Sequence, residues 1–225
     1  MLLTQPDTNR STQERADGTA RALHLIGGTL CRRTAIDVPG LATLYDAHAV
    51  IVADGTRLTG PLGSFAGRTW RSDQNTFDKI TINTRHISTQ DADPHVYAEN
   101  ILTVFLHELT HMVAFHSNLV DTLAPDYLFH TEDFARIARR MGLHVEKSPE
   151  HQAGLFTPHL TEAARTRHRD LLTQLTKLRL GGMRGRGLAG PPDFTGSLPD
   201  TSSGIFTTTA ATAAAFRHPT FTTSQ

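Results

Sequence analysis

An α+β fold is predicted for this chain of 225 residues: a small sheet packed on one central apolar helix, with further helices at its flanks. Three observations predict it. The run from Ile101 to Leu106 is almost wholly apolar, and Leu109, Met112 and Val113 continue it, the pattern of a helix buried on all sides. Short runs ahead of it, Val50-Ile51-Val52 and Phe77 to Asn83, are β-branched or alternating and read as strands. Two runs behind it place apolar residues at helical spacing, Phe134-Ile137-Ala138-Met141 and Leu171-Leu172-Leu175-Leu178.

The elements follow in order. A first helix is expected from near Thr19 to about Arg33, with Ala22, Leu23, Leu25, Ile26 and Leu30 as its stripe; Gly27-Gly28 weakens it. Leu41 to Ala53 is apolar and ends in the strand Val50–Val52, and Asp54-Gly55 and Gly60-Pro61 mark turns. Gly67 to Arg71 reads as a strand with Trp70 inward, and Phe77 to Asn83 is the clearest strand. The central helix spans about Pro94 to Ser117. A loop from Asn118 to His130 leads to a helix capped by Thr131, ending near Met141, with Gly142 at its C-cap. A short strand is expected within Val145 to Phe156, and a final helix from Thr161, its cap, to Leu180. Three segments result: a disordered lead at 1–17, one domain at 18–180, and a tail at 181–225. The tail is so rich in Gly, Pro, Ser, Thr and Ala that it is expected to be disordered.

Composition limits the setting. The formal net charge is zero, so no global field draws the protein to nucleic acid or membrane. A single cysteine, Cys31, excludes a disulfide framework and suits a reducing compartment. Met1 to Asp17 lacks the apolar core of a signal peptide, and no apolar run has the length of a membrane span. A cytoplasmic protein with no membrane partner is expected.

The chemistry is concentrated in His107-Glu108-Leu109-Thr110-His111, an H-E-x-x-H sequence inside the central helix. Positions i and i+4 share one helix face, so His107 and His111 can direct imidazole nitrogens at one metal ion. Glu108, one position round the turn, can serve as general base without occupying a coordination position. Ionisable groups in a buried helix are costly unless paired or metal-bound, which favours a site over two incidental core histidines. This is the zincin signature, with Zn²⁺ as the expected ion and hydrolysis of a peptide or related amide bond as the expected reaction. A hydrolytic zinc site needs a third protein ligand. The metzincin spacing would require His and Gly where Ser117 and Ala114 stand, and His116 falls on another side of the helix. Glu132, Asp133 and His130 remain as candidates, His130 lying just before a helix that packs on the core.

From Phe77 to Leu143 the chain resembles the SprT-like metallopeptidase family, the group that includes SprT and Spartan. The resemblance rests on Ile80-Thr81-Ile82-Asn83, then His107 to His111, then His130-Thr131-Glu132-Asp133-Phe134 and the helix closing on Gly142-Leu143. It covers about a third of the chain. Thr131 stands where many members have Gly, and the four-cysteine zinc ribbon that many members carry cannot be built here. The resemblance implies a zincin-like minimal metalloprotease core with His107, His111 and His130 as metal ligands and Glu108 as catalytic base. It also implies a protein or peptide substrate, which in the family's best-described role is crosslinked to DNA. The Arg-rich stretch 165–186 reads first as a solvated helix face and linker, with weak DNA contact through its arginines as the other reading. Tyr127, His116 and Arg140 are candidates by type for stabilising a developing oxyanion. An extended substrate is expected to add to a sheet edge near Ile80 to Thr84. Two other readings stand beside this one. One is a regulatory protease of the ImmA/IrrE type, which also uses H-E-x-x-H. The other is a metal-stabilised binding module without turnover, for which an intact Glu108 has no purpose.

Overall fold

A strand that is buried along one whole face occupies the middle of the sheet, and here that strand is β3 (Asn75–Ile82). Asp78, Ile80 and Ile82 are buried at alternate positions, the period of a strand. In this computed structural model, which describes residues 8–53, 60–72, 75–90, 93–123, 129–148 and 154–184, β3 is flanked on both sides. β1 (Ala49–Ala53) pairs with it in parallel, Ile51 opposite Ile80, and β2 (Gly63–Ser72) pairs antiparallel, Phe65 opposite Ile80. The order β1-β3-β2 therefore makes β2 an edge strand and places Ile80–Ile82 at the centre, correcting the expectation that substrate adds there. The β2–β3 register slips between Ala66 and Trp70, and Arg68 within that bulge has φ 50°. Asp78 holds the bulge: its carboxylate accepts from Arg68 N at 2.8 Å and lies 2.6 Å from His116 Nε2.

The central helix, α4 (Pro94–His116), starts and stops as its sequence dictates. Asp93 caps it by accepting from His95 N at 2.8 Å, Pro94 occupies the first turn, where no backbone donor is needed, and Ser117 follows. Its flanks are apolar because it is covered on several sides: by β2 and β3, by α5 (Glu132–Met141) and by α7 (Arg169–Arg184). Phe105, fully buried, exemplifies the stake; truncating such a side chain to Ala costs about 3–5 kcal/mol. α1 (Thr8–Thr34) buries Leu23, Ile26, Leu30 and Cys31 against β1 and α2 (Leu41–His48). Gly27 makes this packing possible, since a Cβ there would overlap the Tyr45 hydroxyl and the Phe105 ring.

Several boundaries differ from expectation. α1 begins at Thr8, so most of the lead expected to be disordered is helical from that residue; Gln13, Glu14, Arg15 and Ala16 all favour helix. The final helix is two, α6 (Glu162–Arg167) and α7, broken at His168, and α7 runs to Arg184, past the expected boundary at 181. A short helix not expected from sequence, α3 (Thr84–Gln90), follows β3. Val145 to Phe156 yields a two-stranded ribbon, β4 (Glu146–Lys147) with β5 (Leu155–Phe156). The caps at Thr131 and Thr161 form, accepting from Phe134 N and Ala164 N, and Gly142 ends α5 at φ 91°. The chain divides into a unit at Met1–Pro191 and a second at Pro192–Gln225; the latter, like the rest of the expected tail beyond Arg184, lies outside the described residues. Among the described residues no helix is long and apolar enough to cross a membrane.

Candidate metal centre

Two helices bring three imidazoles together. His107 and His111 project from one face of α4, and His130 stands at the entrance of α5, fixed because Thr131 caps that helix and His130 N donates to Leu155 O at 3.0 Å. His107 Nε2 and His130 Nε2 each lie 3.2 Å from His111 Nε2. Phe134, four residues after His130 and fully buried, packs against all three rings, with centroids 3.9 Å from His130, 4.7 Å from His111 and 5.1 Å from His107.

The outer nitrogens explain what the inner ones can do. His130 Nδ1 donates to Leu155 O at 3.2 Å, and His111 Nδ1 donates to the Asp121 carboxylate at 2.7 Å. A carbonyl and a carboxylate only accept, so both outer nitrogens donate, which leaves the inner nitrogens as the ones that can serve as metal ligands. His107 Nδ1 is 2.7 Å from Thr157 Oγ1, completing the set. Burial, reinforced by the charge of His111, pushes His130 down to about 4, against the hydrogen bond to Leu155 and the charge of Asp121. Burial, then the charges of His111 and His130, hold His107 well below its ordinary value. Burial alone would raise Asp121, but its hydrogen bond to His111 and the histidine charges keep it below the usual carboxylate range. The Nε2 atoms that face one another across 3.2 Å lie close enough to share a single ion. The group fits a metal ion, and three imidazoles suit Zn, Cu, Fe or Ni.

Glu108 is buried, and burial pushes its carboxyl up to about 7 despite the nearby His111. It faces a cavity of about 330 Å³ bounded by Pro61, Leu62 and Gly63 on one wall and Phe156, Thr157 and Pro158 on the other, with α4 as floor. The first wall is held by Asn83 at the end of β3, whose N donates to Leu62 O at 2.8 Å and whose Nδ2 donates to Pro61 O at 3.4 Å. Gly63 lets β2 lie directly over the carboxylate. A Cβ there would stand 2.6 Å from Glu108 Oε1 and 2.5 Å from Val104 Cγ1. The second wall owes its shape to an irregularity. Between the pairs Leu143–Leu160 and Glu146–Phe156, two residues intervene on one segment and three on the other. The extra residue makes a bulge at Thr157-Pro158, the kind of device that re-aims a side chain.

Of the residues singled out from sequence, His107, Glu108, His111 and His130 come together. Glu132 and Asp133 do not join them; they pair with Arg139 and Arg136 on the exposed side of α5. His116 is engaged by Asp78 and stacks on His48, and Arg140 lines a different cavity with Asp37 and Arg167, so neither stands by the centre. Tyr127 lies outside the described residues. In the Arg-rich stretch, Arg165 is bound to Glu99, Arg167 to Asp37, and Arg179 to the carbonyls of Asp93 and Ser88. Sequence reasoning missed Asp121, Thr157 and Gly63. Comparison of the chain with protein-family models, curated proteins and solved structures finds no match to any of them.

Proposed function

We propose that the chain is a zinc-dependent metallopeptidase of SprT-like type acting on extended polypeptides. The observation that carries this reading is the convergence of three imidazole nitrogens beside a buried carboxylate on the floor of a cavity bordered by an edge strand. Zn²⁺ held by His107, His111 and His130 would polarise the scissile carbonyl and lower the pKa of water toward neutrality. Glu108 takes the proton of the attacking water and delivers it to the leaving amine. A carboxyl raised to about 7 is matched to both halves of that task near neutral pH. Asp121, Thr157 and the Leu155 carbonyl keep the rings in register. The start of β2, at Gly63, offers backbone groups to an extended substrate lying in the cavity.

DNA-associated proteins are one class of substrate within this proposal. Arg165, Arg167 and Arg179 of the 165–186 stretch are engaged within the fold, so DNA contact through that stretch would fall to its other arginines. The test is cleavage of casein by zinc-loaded protein, with and without single-stranded DNA. Cleavage that a chelator stops and Zn²⁺ restores supports the reading. Stimulation by DNA assigns DNA-bound substrates, and unstimulated cleavage assigns free ones. No cleavage under either condition, with zinc bound, would overturn it.

A further inference from the structure

The bulged ribbon that forms one wall of the cavity carries a second cluster of metal-ligating side chains. Residues 143–147 run antiparallel to 155–160, and His144 N donates to His159 O at 2.9 Å. His144 and Glu146 are two apart on an extended segment and so share a face, with His159 across from His144. The side chains meet accordingly. The rings of His144 and His159 stack with centroids 4.8 Å apart and planes 10° from parallel, and Glu146 Oε1 lies 3.4 Å from His144 Nε2. One ligand atom from each residue falls within 4.8 Å of the others.

We infer that His144, Glu146 and His159 form a second divalent-metal site, independent of the His107–His111–His130 centre and of any peptidase activity. Two imidazoles and one carboxylate suit a borderline cation such as Zn²⁺, with water completing the shell. The side chains of His144 and Glu146 are 49% and 43% exposed, so the rings can turn out of their stack and close on an ion without disturbing the core. The backbone is already arranged by the His144–His159 hydrogen bond and the Leu143–Leu160 bridge, so binding orders side chains only. An ion there ties the two segments of the ribbon together, two residues from Thr157 and four from Leu155. Those residues hold the outer nitrogens of His107 and His130. The site is therefore a clamp on the wall of the cavity.

The test is equilibrium dialysis of the full chain against Zn²⁺, with bound metal measured by elemental analysis. The wild type is expected to take up about two equivalents and H144Q/H159Q about one. His130→Ala, which damages the first centre, is expected to keep the second equivalent. Glu146→Gln, a single change at a partly exposed position, is expected to weaken the second equivalent by about tenfold or more. Circular dichroism in chelator checks that every variant folds. Uptake of only one equivalent by the wild type overturns the inference, as does an undiminished second equivalent in H144Q/H159Q or in Glu146→Gln.

Discussion

Two places where this fold buries imidazole are built in opposite ways. At the centre formed by His107, His111 and His130, every outer nitrogen has a partner and the inner nitrogens face one another. At the break between α6 and α7, His168 is fully buried, and neither ring nitrogen has a partner among the described residues. Burial nevertheless pushes both His130 and His168 down to about 4. A lowered pKa thus reports burial in both places and function in neither. The difference lies in the arrangement of the ring nitrogens: held from outside and convergent in one region, without partners in the other. The orphaned ring is a cost to stability, and the convergent ones are placed where a cation can join them.

The comparison can be broken most decisively at Glu108, the one carboxylate raised by burial inside the first region. Glu108→Gln removes the proton acceptor and keeps the shape. Hydrolysis is expected to fall by about 10²–10⁴-fold, with zinc content unchanged by elemental analysis. Retention of full activity would remove Glu108 from the chemistry. Gly63→Ala is a milder blow to the same place. The added methyl would meet Glu108 Oε1 and Val104, so either the edge strand or the carboxylate must move. A displacement of about 1 Å costs up to about 10²-fold in rate. The expected signature is lost turnover with unaltered zinc affinity; equal losses in both would mean that Gly63 supports the whole centre instead.

Asp121→Ala sharpens the contrast between held and unheld rings. It frees the outer nitrogen of His111, and zinc affinity measured by competition with a chromogenic chelator is expected to drop about 10–100-fold. Asp170→Ala is the control from the second region. Its carboxylate binds Arg33 at 2.6 and 2.7 Å, and removing it is expected to leave zinc affinity unaltered. If both variants bound zinc like the wild type, the outer hydrogen bonds would have no part in the site.

What could be read from the sequence was what local spacing determines. His107 and His111 are one helical turn apart, and no tertiary information is needed to put them on one face. His130 was accessible because Thr131 caps α5 and Phe134 begins its apolar stripe, so the ligand is anchored by its own helix. Asp121 and Thr157 were not legible. Asp121 lies in a loop without periodicity, and Thr157 reaches His107 across fifty residues by way of a bulge that no residue pattern marks. Gly63 reads as one glycine among many until α4 is seen beneath it. The strand order was likewise hidden: the apolar run at Ile80–Ile82 marks a buried strand, but only pairing shows that it is central and that β2 is the edge. The helix break was hidden as well, since the stripe of Leu171, Leu172 and Leu175 lies wholly within α7 and carries no information about the turn at His168 before it.

The smallest expected effect belongs to that interruption and tests the second half of the comparison. Burial first, then the charges of Arg167 and Arg33, hold His168 at about 4, against an unfolded value near 6.5. The folded state therefore resists protonation that the unfolded chain accepts. As pH falls from about 6.5 toward 4, the unfolded state binds more protons and stability is lost; above 6.5 the group has no effect, and below 4 the loss is complete. Between pH 7 and pH 5.5 this one residue is expected to account for a loss of about 1 kcal/mol. His168→Leu removes the titration and places an apolar side chain of similar size where two nitrogens have no partner. Urea denaturation at the two pH values should give a smaller acid loss for the variant than for the wild type, by about that amount, and a variant no less stable at pH 7. An identical acid loss in the two proteins would mean that His168 finds a partner after all, and its region would then be built like the first.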